Sequence, residues 1–459
     1  MNLFLSIFSG VLLALAFPKF NLYWLAWVAL VPFFVALART RNWKESLLCG
    51  FFFGIFFFGI HLFWVTTLFR FVQGWIILGW IALTLFQTLF ILLFVTILYF
   101  IGNPKRVTYA FSLALLWTAV EWLRAWGPFG VTGGDVGYSQ VQLLPLIQIA
   151  SLSSVYGVSF LVVLFNASAL QFLTDKRKWQ ALALSLVLII GCYGYGSFVM
   201  GGGMGDEGRI KLALLQPNID QKDKLNLAMV QPVFDVHEEM TRQAMKEKPD
   251  IIIWPETAIF SYVLHDPPLF RRMRKLARES RAWLIFGTPH YIGNKAYNSI
   301  VSMSPSGKVV SRYDKQQLVP FGEYLPFRKI LYPFLKGVGY YEAKFSSNPH
   351  PELIKAKDLK IAAAVCFEST FPDLIRKRAK RDPDFILLVT NDAWFDDSSA
   401  LYLHLNTGIF RAIENRKYFI QVGNTGLTAV IDPYGRILKK TKVNQRKVVT
   451  FKLPISQGM

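Results

Sequence analysis

The first 205 residues carry only 11 Lys or Arg and 4 Asp or Glu. So long a stretch with so little charge must bury its side chains in lipid or against one another. Seven apolar segments can be marked in it, at residues 2–17, 23–38, 46–69, 74–101, 108–123, 147–173 and 179–200. A spanning helix needs about 20 residues. The first two segments are short and lie five residues apart, so they read as a tight hairpin or a re-entrant pair. Loops two, four and six hold Arg39, Arg41, Lys44, Lys105, Arg106, Lys176, Arg177 and Lys178, whereas loops one, three and five hold only Lys19, Arg70 and Arg124. Basic loops stay in the cytoplasm. The chain therefore starts inside, and seven crossings put everything after residue 207 outside. Gly50-Phe-Phe-Phe-Gly54 reads as close helix packing within the bundle, and Glu121 with Arg124 as an i, i+3 pair at the outer end of segment five.

The rest of the chain holds 39 basic and 26 acidic residues. This half, 208–459, reads as one water-soluble α/β domain joined to the helical domain 1–205. A net charge of +20 on a bilayer-tethered chain matches anionic lipid headgroups more simply than nucleic acid. Three cysteines are too few for a disulfide framework. Cys49 and Cys192 lie in apolar segments, which leaves Cys366 as the one thiol of the soluble half.

Cys366 ends the run Ile361-Ala-Ala-Ala-Val-Cys366 and precedes a polar helical pattern at 373–380. A thiol there reads either as a buried core residue or as a nucleophile at a strand-to-helix turn, with backbone N–H groups nearby. Further strands are predicted at 211–216, 250–254, 283–287, 299–303, 308–313, 385–390, 419–423 and 427–431, and helices at 229–246, at 268–280 and around 411–416. Strands apolar on both faces and alternating with helices argue a layered α/β sandwich with helices on both outer sides. Polar residues recur just past the strand ends, where ligands bind α/β sheets. Glu256 follows Ile-Ile-Ile-Trp-Pro, and Asn391-Asp-Ala-Trp-Phe395 follows Ile-Leu-Leu-Val-Thr. Lys315 lies in Tyr-Asp-Lys-Gln-Gln, and Glu323 eight residues on. A thiol near pH 7 needs a base or a cation to react. His265, His290, His350 and His404 show no partnering motif, so a carboxylate is the candidate base.

Trp254-Pro-Glu256, Asp314-Lys315 and Val365-Cys366-Phe-Glu368 follow the Glu, Lys, Cys order of the nitrilase superfamily, which they resemble. With the membrane half, the match resembles the apolipoprotein N-acyltransferase family. The resembling pieces include Glu121-Trp-Leu-Arg124, Gly137-Tyr-Ser-Gln140, Gln216-Pro-Asn-Ile219, Pro320-Phe-Gly-Glu-Tyr-Leu-Pro-Phe327, Arg411, Glu414-Asn-Arg416 and Asn424-Thr-Gly426. The resemblance implies a polytopic helical bundle carrying a nitrilase-like αββα sandwich on the periplasmic side of a bacterial inner membrane. It implies catalytic Glu256, Lys315 and Cys366, with Glu323, Phe367 and Glu368 in support. It further implies acyl transfer from a phospholipid donor, through a thioester on Cys366, to the diacylated N-terminal cysteine of an apolipoprotein. No metal or organic cofactor and no nucleic acid enters this scheme, and the expected state is a monomer. The aromatic region 324–341 is implied to gate substrate. Two departures stand out: Leu225 sits where the family often has tryptophan, and 451–459 shows no apolar stretch where an eighth spanning helix is implied. The competing activity is a membrane-tethered amidase of small amides, with water as the second nucleophile.

Overall fold

The structure is a computed structural model that describes residues 1–102, 108–202, 209–336 and 344–454. Two compact units divide the chain. One comprises Met1–Gly202 and Ser398–Glu414, the other Gly203–Asp397 and Asn415–Met459. The division departs from the sequence-based boundary at one place. The helix Ser399–Asn415 falls inside the expected soluble domain, yet it folds almost wholly with the helical unit. Its composition explains the choice, since nearly every side chain from Ala400 to Glu414 is buried. Within the helical unit its Arg411 guanidinium donates to Glu414 and to the Tyr138 hydroxyl, and Glu414 accepts from the Ser154 hydroxyl and the Val155 N–H.

Among the described residues, four helices are long and apolar enough to cross a membrane: Trp43–His61, Trp75–Ile101, Ala150–Thr174 and Lys176–Met200. The remaining expected segments form shorter helices, including Asn2–Leu15 and Tyr109–Arg124. Gly50 and Gly54 seat the first spanning helix against the second. A methyl group on Gly54 would stand 2.7 Å from Thr88 Cγ2, and one on Gly50 2.9 Å from Val95 Cγ2. Glu121 and Arg124 do not pair. Arg124 instead meets Asp135 from the loop that follows, while Glu121 accepts from Trp117 Nε1 and the Val136 N–H. The loop thus supplies the ion-pair partner of Arg124, while Glu121 is shared between its own helix and the loop.

The α/β unit is built of two six-stranded sheets. Its strands are β1 (Arg209–Gln216), β2 (Ile251–Ile253), β3 (Trp283–Ile292), β4 (Lys295–Met303), β5 (Val309–Asp314), β6 (Ile354–Ala356), β7 (Leu359–Val365), β8 (Phe385–Thr390), β9 (Phe419–Gly423), β10 (Ala429–Ile431), β11 (Ile437–Lys440) and β12 (Lys447–Pro454). The orders are β12-β1-β2-β3-β4-β5 and β11-β10-β9-β8-β7-β6. In each sheet three neighbouring strands run parallel, β1-β2-β3 and β9-β8-β7, and antiparallel strands flank them.

Alternation sets the packing. Leu212, Leu214, Ile251, Ile253 and Ile285 of the first sheet meet Ile361, Ala363, Val365, Leu387 and Val389 of the second. The opposite face of the first sheet, including Ala213, Ile252 and Leu284, packs on Phe234, Met240, Leu269 and Met273 of the helices Val230–Met245 and Pro267–Ser280. The central strands are buried on both faces, which is why they read as unbroken apolar runs. Of the expected gating region, residues 337–341 lie outside the described residues; the described part includes the helix Arg328–Lys336.

Candidate active site

β2, β7, β8 and β9 end at one rim, followed by Glu256, Cys366, Asn391 and Asn424, and Lys315 directly follows β5. The turns there are tight. Cys366 has φ +50° and Thr257, beside Glu256, has φ +44°. A non-glycine residue held in this left-handed region stores about 1–3 kcal/mol, and such strain gathers at functional turns.

Glu256 is held from several sides. Fully buried Trp254 anchors its approach, with Nε1 donating to Thr241 Oγ1 at 3.0 Å and N donating to the Ile285 carbonyl at 2.8 Å. Gly287 in β3 lies flat against the turn; a Cβ there would stand 2.6 Å from the Pro255 carbonyl oxygen and 2.7 Å from Glu256 Cα. The carboxylate accepts from Asn298 Nδ2 at Oε1 (2.8 Å) and from the Asn391 N–H at Oε2 (2.8 Å). Asn391 is itself fixed, giving a side-chain bond to Gln221 Oε1 and receiving one from Asn424 Nδ2.

Lys315 is 1% exposed. Its Nζ lies 3.0 and 2.9 Å from the two oxygens of Glu323 and 3.8 Å from Glu256 Oε1. Asn298 also donates to Glu323 Oε1 at 2.9 Å, so one amide ties the two carboxylates together. Burial works against the Lys315 charge, but Glu323 and then Glu256 outweigh it and raise its pKa. The ammonium is therefore permanent near neutral pH.

Burial pushes the Glu256 pKa up; Lys315 opposes this and Glu323 reinforces it. The Cys366 thiol lies well above its ordinary value, first through desolvation and then through the charge of Glu256, while Lys315 and a hydrogen bond with Thr390 work the other way. The resting group is thus a neutral thiol beside a carboxylate that has been made a stronger base. That arrangement suits proton transfer at the moment of attack, not a preformed thiolate.

Glu368 behaves differently. Its carboxylate accepts from the Tyr313 hydroxyl (2.8 and 2.7 Å), from the N–H groups of Val365, Gln316 and Gln317, and from Arg378 Nη2 at 3.1 Å. The backbone donors among them belong to Gln316 and Gln317, just after Lys315, and to Val365, just before Cys366. The side chain therefore staples the two loops that carry the reactive groups. Burial alone would raise its pKa, but Arg378, Tyr313 and the backbone donors lower it.

A family model described as the apolipoprotein N-acyltransferase N-terminal domain matches residues 9–168, and the carbon-nitrogen hydrolase model matches residues 211–457. An apolipoprotein N-acyltransferase of Geobacter metallireducens is 33% identical, over 99% of this chain and 89% of the relative. The chain belongs to the apolipoprotein N-acyltransferase family. A family relative from Thermotoga maritima is 30% identical, over 100% of this chain and 88% of its own length. Among solved structures, an amidase from Nesterenkonia sp. aligns with a TM-score of 0.42 at 19% identity, over 55% of this chain and 93% of the amidase.

Of the residues singled out in the sequence, Glu256, Lys315 and Glu323 share one hydrogen-bonded cluster, and Cys366 lies within its electrostatic reach. Phe367 is the second residue of the short helix Cys366–Thr370, which Cys366 opens. Asn391, singled out at the end of its strand, joins the cluster through its backbone N–H to Glu256 Oε2, and two further contributors, Asn298 and Lys224, were given no role. Asn298 leaves one trace in the sequence, an asparagine inside a strand, where that residue is disfavoured. Lys224 is the lysine of the Gln-x-x-Lys pattern before Leu225, to which no role was assigned; it is 3% exposed and donates to the Glu256 carbonyl at 3.1 Å.

Proposed function

We propose that the chain N-acylates the diacylglyceryl-cysteine at the N-terminus of lipoproteins, with a membrane phospholipid as acyl donor. In the first step Glu256 takes the Cys366 proton while sulfur attacks the donor's ester carbonyl. The tetrahedral oxyanion is held by the Lys315 ammonium and the Phe367 N–H. Collapse expels the lysophospholipid alkoxide, which recovers the proton from Glu256, and leaves a thioester on Cys366. In the second step the neutral α-amine of the lipoprotein attacks the thioester, Glu256 accepts the amine proton and returns it to the thiolate, and an amide is released. The reading places the enzyme in the bacterial inner membrane with its α/β unit on the periplasmic side, and it acts as a monomer.

The observation that carries this reading is the buried Glu256–Lys315–Glu323 cluster beside a neutral Cys366 thiol, in a chain whose described residues include four helices apolar enough to span a bilayer. A small-molecule amidase would use the same groups, but family membership favours the lipid substrate. The test is intact mass spectrometry of the purified chain given phosphatidylethanolamine. A hydroxylamine-labile fatty acyl adduct on Cys366, lost in Cys366→Ala, is the expected result. Acyl transfer that persists in Cys366→Ala would overturn the scheme.

A further inference from the structure

A second buried ammonium lies beside Glu256. Lys224 belongs to the short helix Gln221–Leu225, which follows β1. Among the described residues no carboxylate pairs with it within ion-pair distance, and its hydrogen-bond acceptor is the main-chain carbonyl oxygen of Glu256. Burying an ammonium without a paired carboxylate is costly, and an apolar side chain of equal length would fit a core more cheaply. The same helical turn supplies Gln221, whose Oε1 accepts from Asn391 Nδ2, and the Asn391 N–H in turn donates to Glu256 Oε2. One turn thus grips Glu256 at both ends, through its carbonyl and, by way of Asn391, through its carboxylate. Asn424 pins this turn by bonding both the N–H and the carbonyl of Ile219.

We infer that Lys224 is a positioning residue of the acylation site, fixing the main chain of Glu256 and adding a positive charge that keeps its carboxylate ionised. The inference rests on Glu256 acting as the base. Lys315 does not meet the need alone, because it is 2.9 Å from Glu323 and 3.8 Å from Glu256. The charged and titratable groups facing this pair are Lys315, Glu323, Cys366 and, on the helix Val230–Met245, His237. His237 is held neutral, its pKa lowered to about 3 by burial, so it adds no competing charge.

Burial lowers the Lys224 pKa to about 7, with Glu256 working the other way. The amine is therefore charged below about pH 7 and neutral above it. Its support of the Glu256 carboxylate exists only on the acid side, which separates this role from a purely structural one.

The experiment follows carboxamidomethylation of Cys366 by iodoacetamide in the full-length protein in detergent, read by peptide mass spectrometry. Cys49 and Cys192 serve as internal references. This readout is independent of acyl transfer, so a failure of the lipid-transfer scheme and a failure of this inference are distinguishable. An opposite charge moves a neighbouring carboxylate by about one pH unit or more. Lys224→Met should therefore slow Cys366 alkylation about tenfold more at about pH 6 than at about pH 9, where only the lost hydrogen bond to the Glu256 carbonyl is felt, with Lys224→Arg restoring the acid-side rate. Lys224→Gln carries the same test if the methionine variant does not fold. Neutral variants that match the wild-type profile, or slow alkylation equally at all pH, would overturn the inference.

Discussion

Replacing Gly287 by alanine places a methyl group against the backbone that carries Glu256. The nearest atoms are the Pro255 carbonyl oxygen and the Thr257 nitrogen, each at 2.6 Å, and Glu256 Cα at 2.7 Å. All are main-chain atoms, so no side chain can rotate away. Restoring ordinary contact at 3.4 Å requires β3 or the 255–257 turn to move by about 0.7–0.8 Å. Overpacking of this kind costs about 1–3 kcal/mol of stability. A catalytic group displaced by about 1 Å can lose roughly a hundredfold in rate, so a shift slightly smaller than that predicts a ten- to hundredfold slower acylation of Cys366. The assay is the rate of adduct formation from phosphatidylethanolamine, run beside a thermal melt. The control is Gly293→Ala, in the β3–β4 turn, where φ is +54° and nothing lies within 4 Å of the added Cβ. That variant should lose stability through backbone strain and keep its acylation rate. Wild-type acylation in Gly287→Ala would refute the claim that this contact sets the position of Glu256.

Glu256→Gln should slow thioester formation by about 10²–10⁴-fold, the usual cost of losing a general base, while the variant melts near the wild-type temperature; unchanged single-turnover rates would remove Glu256 from that role. Glu368→Gln should instead destabilise the fold by about 3–5 kcal/mol, since it leaves Arg378 buried without its anion, and chemical denaturation of the α/β unit reads this directly. The folded-state pKa of Glu368 is lowered from 4.5. Its contribution is thus fully present above about pH 4.5 and is lost as pH falls through the folded value. Wild type should accordingly lose stability in acid more steeply than Glu368→Gln, and parallel acid melts of the two proteins would refute this.

Much of the α/β unit was legible because its central strands are buried on both faces. The run Phe385–Thr390 and the run Phe419–Gly423 read as strands from composition alone, and both have the predicted bounds. Of the four edge strands, β5 was predicted, at 308–313, but β6, β11 and β12 were not legible. All four residues of β11, Ile437 to Lys440, are exposed, and Lys447 and Lys452 lie within β12, so neither shows the alternation that marks a half-buried strand. Polar side chains followed the same division. Glu256 and Cys366 announce themselves by interrupting apolar runs, while Lys224 hides among charges that look solvated. Arg124 shows a further limit: helical spacing suggested Glu121 as its partner, but a loop residue eleven positions on took that place.

Glu256 and Glu368 make the physical point on which the site turns. Both carboxyls are almost wholly shielded from water, at 7% and 0% exposure, yet their proton affinities are moved in opposite directions. Burial raises both, so the difference lies in the donors. Glu368 has a tyrosine hydroxyl, three backbone N–H groups and an arginine directed at it, enough to overcome desolvation and hold it ionised. Glu256 has one amide side chain and one backbone N–H, and its nearest lysine sits closer to Glu323. Under-satisfying a buried carboxylate makes it a base, and fully satisfying one makes it a fastener. Moving a donor from the fastener to the base would therefore damage both functions at once: it would leave the loops loose and make the base too weak to take a proton from a thiol whose own pKa is raised.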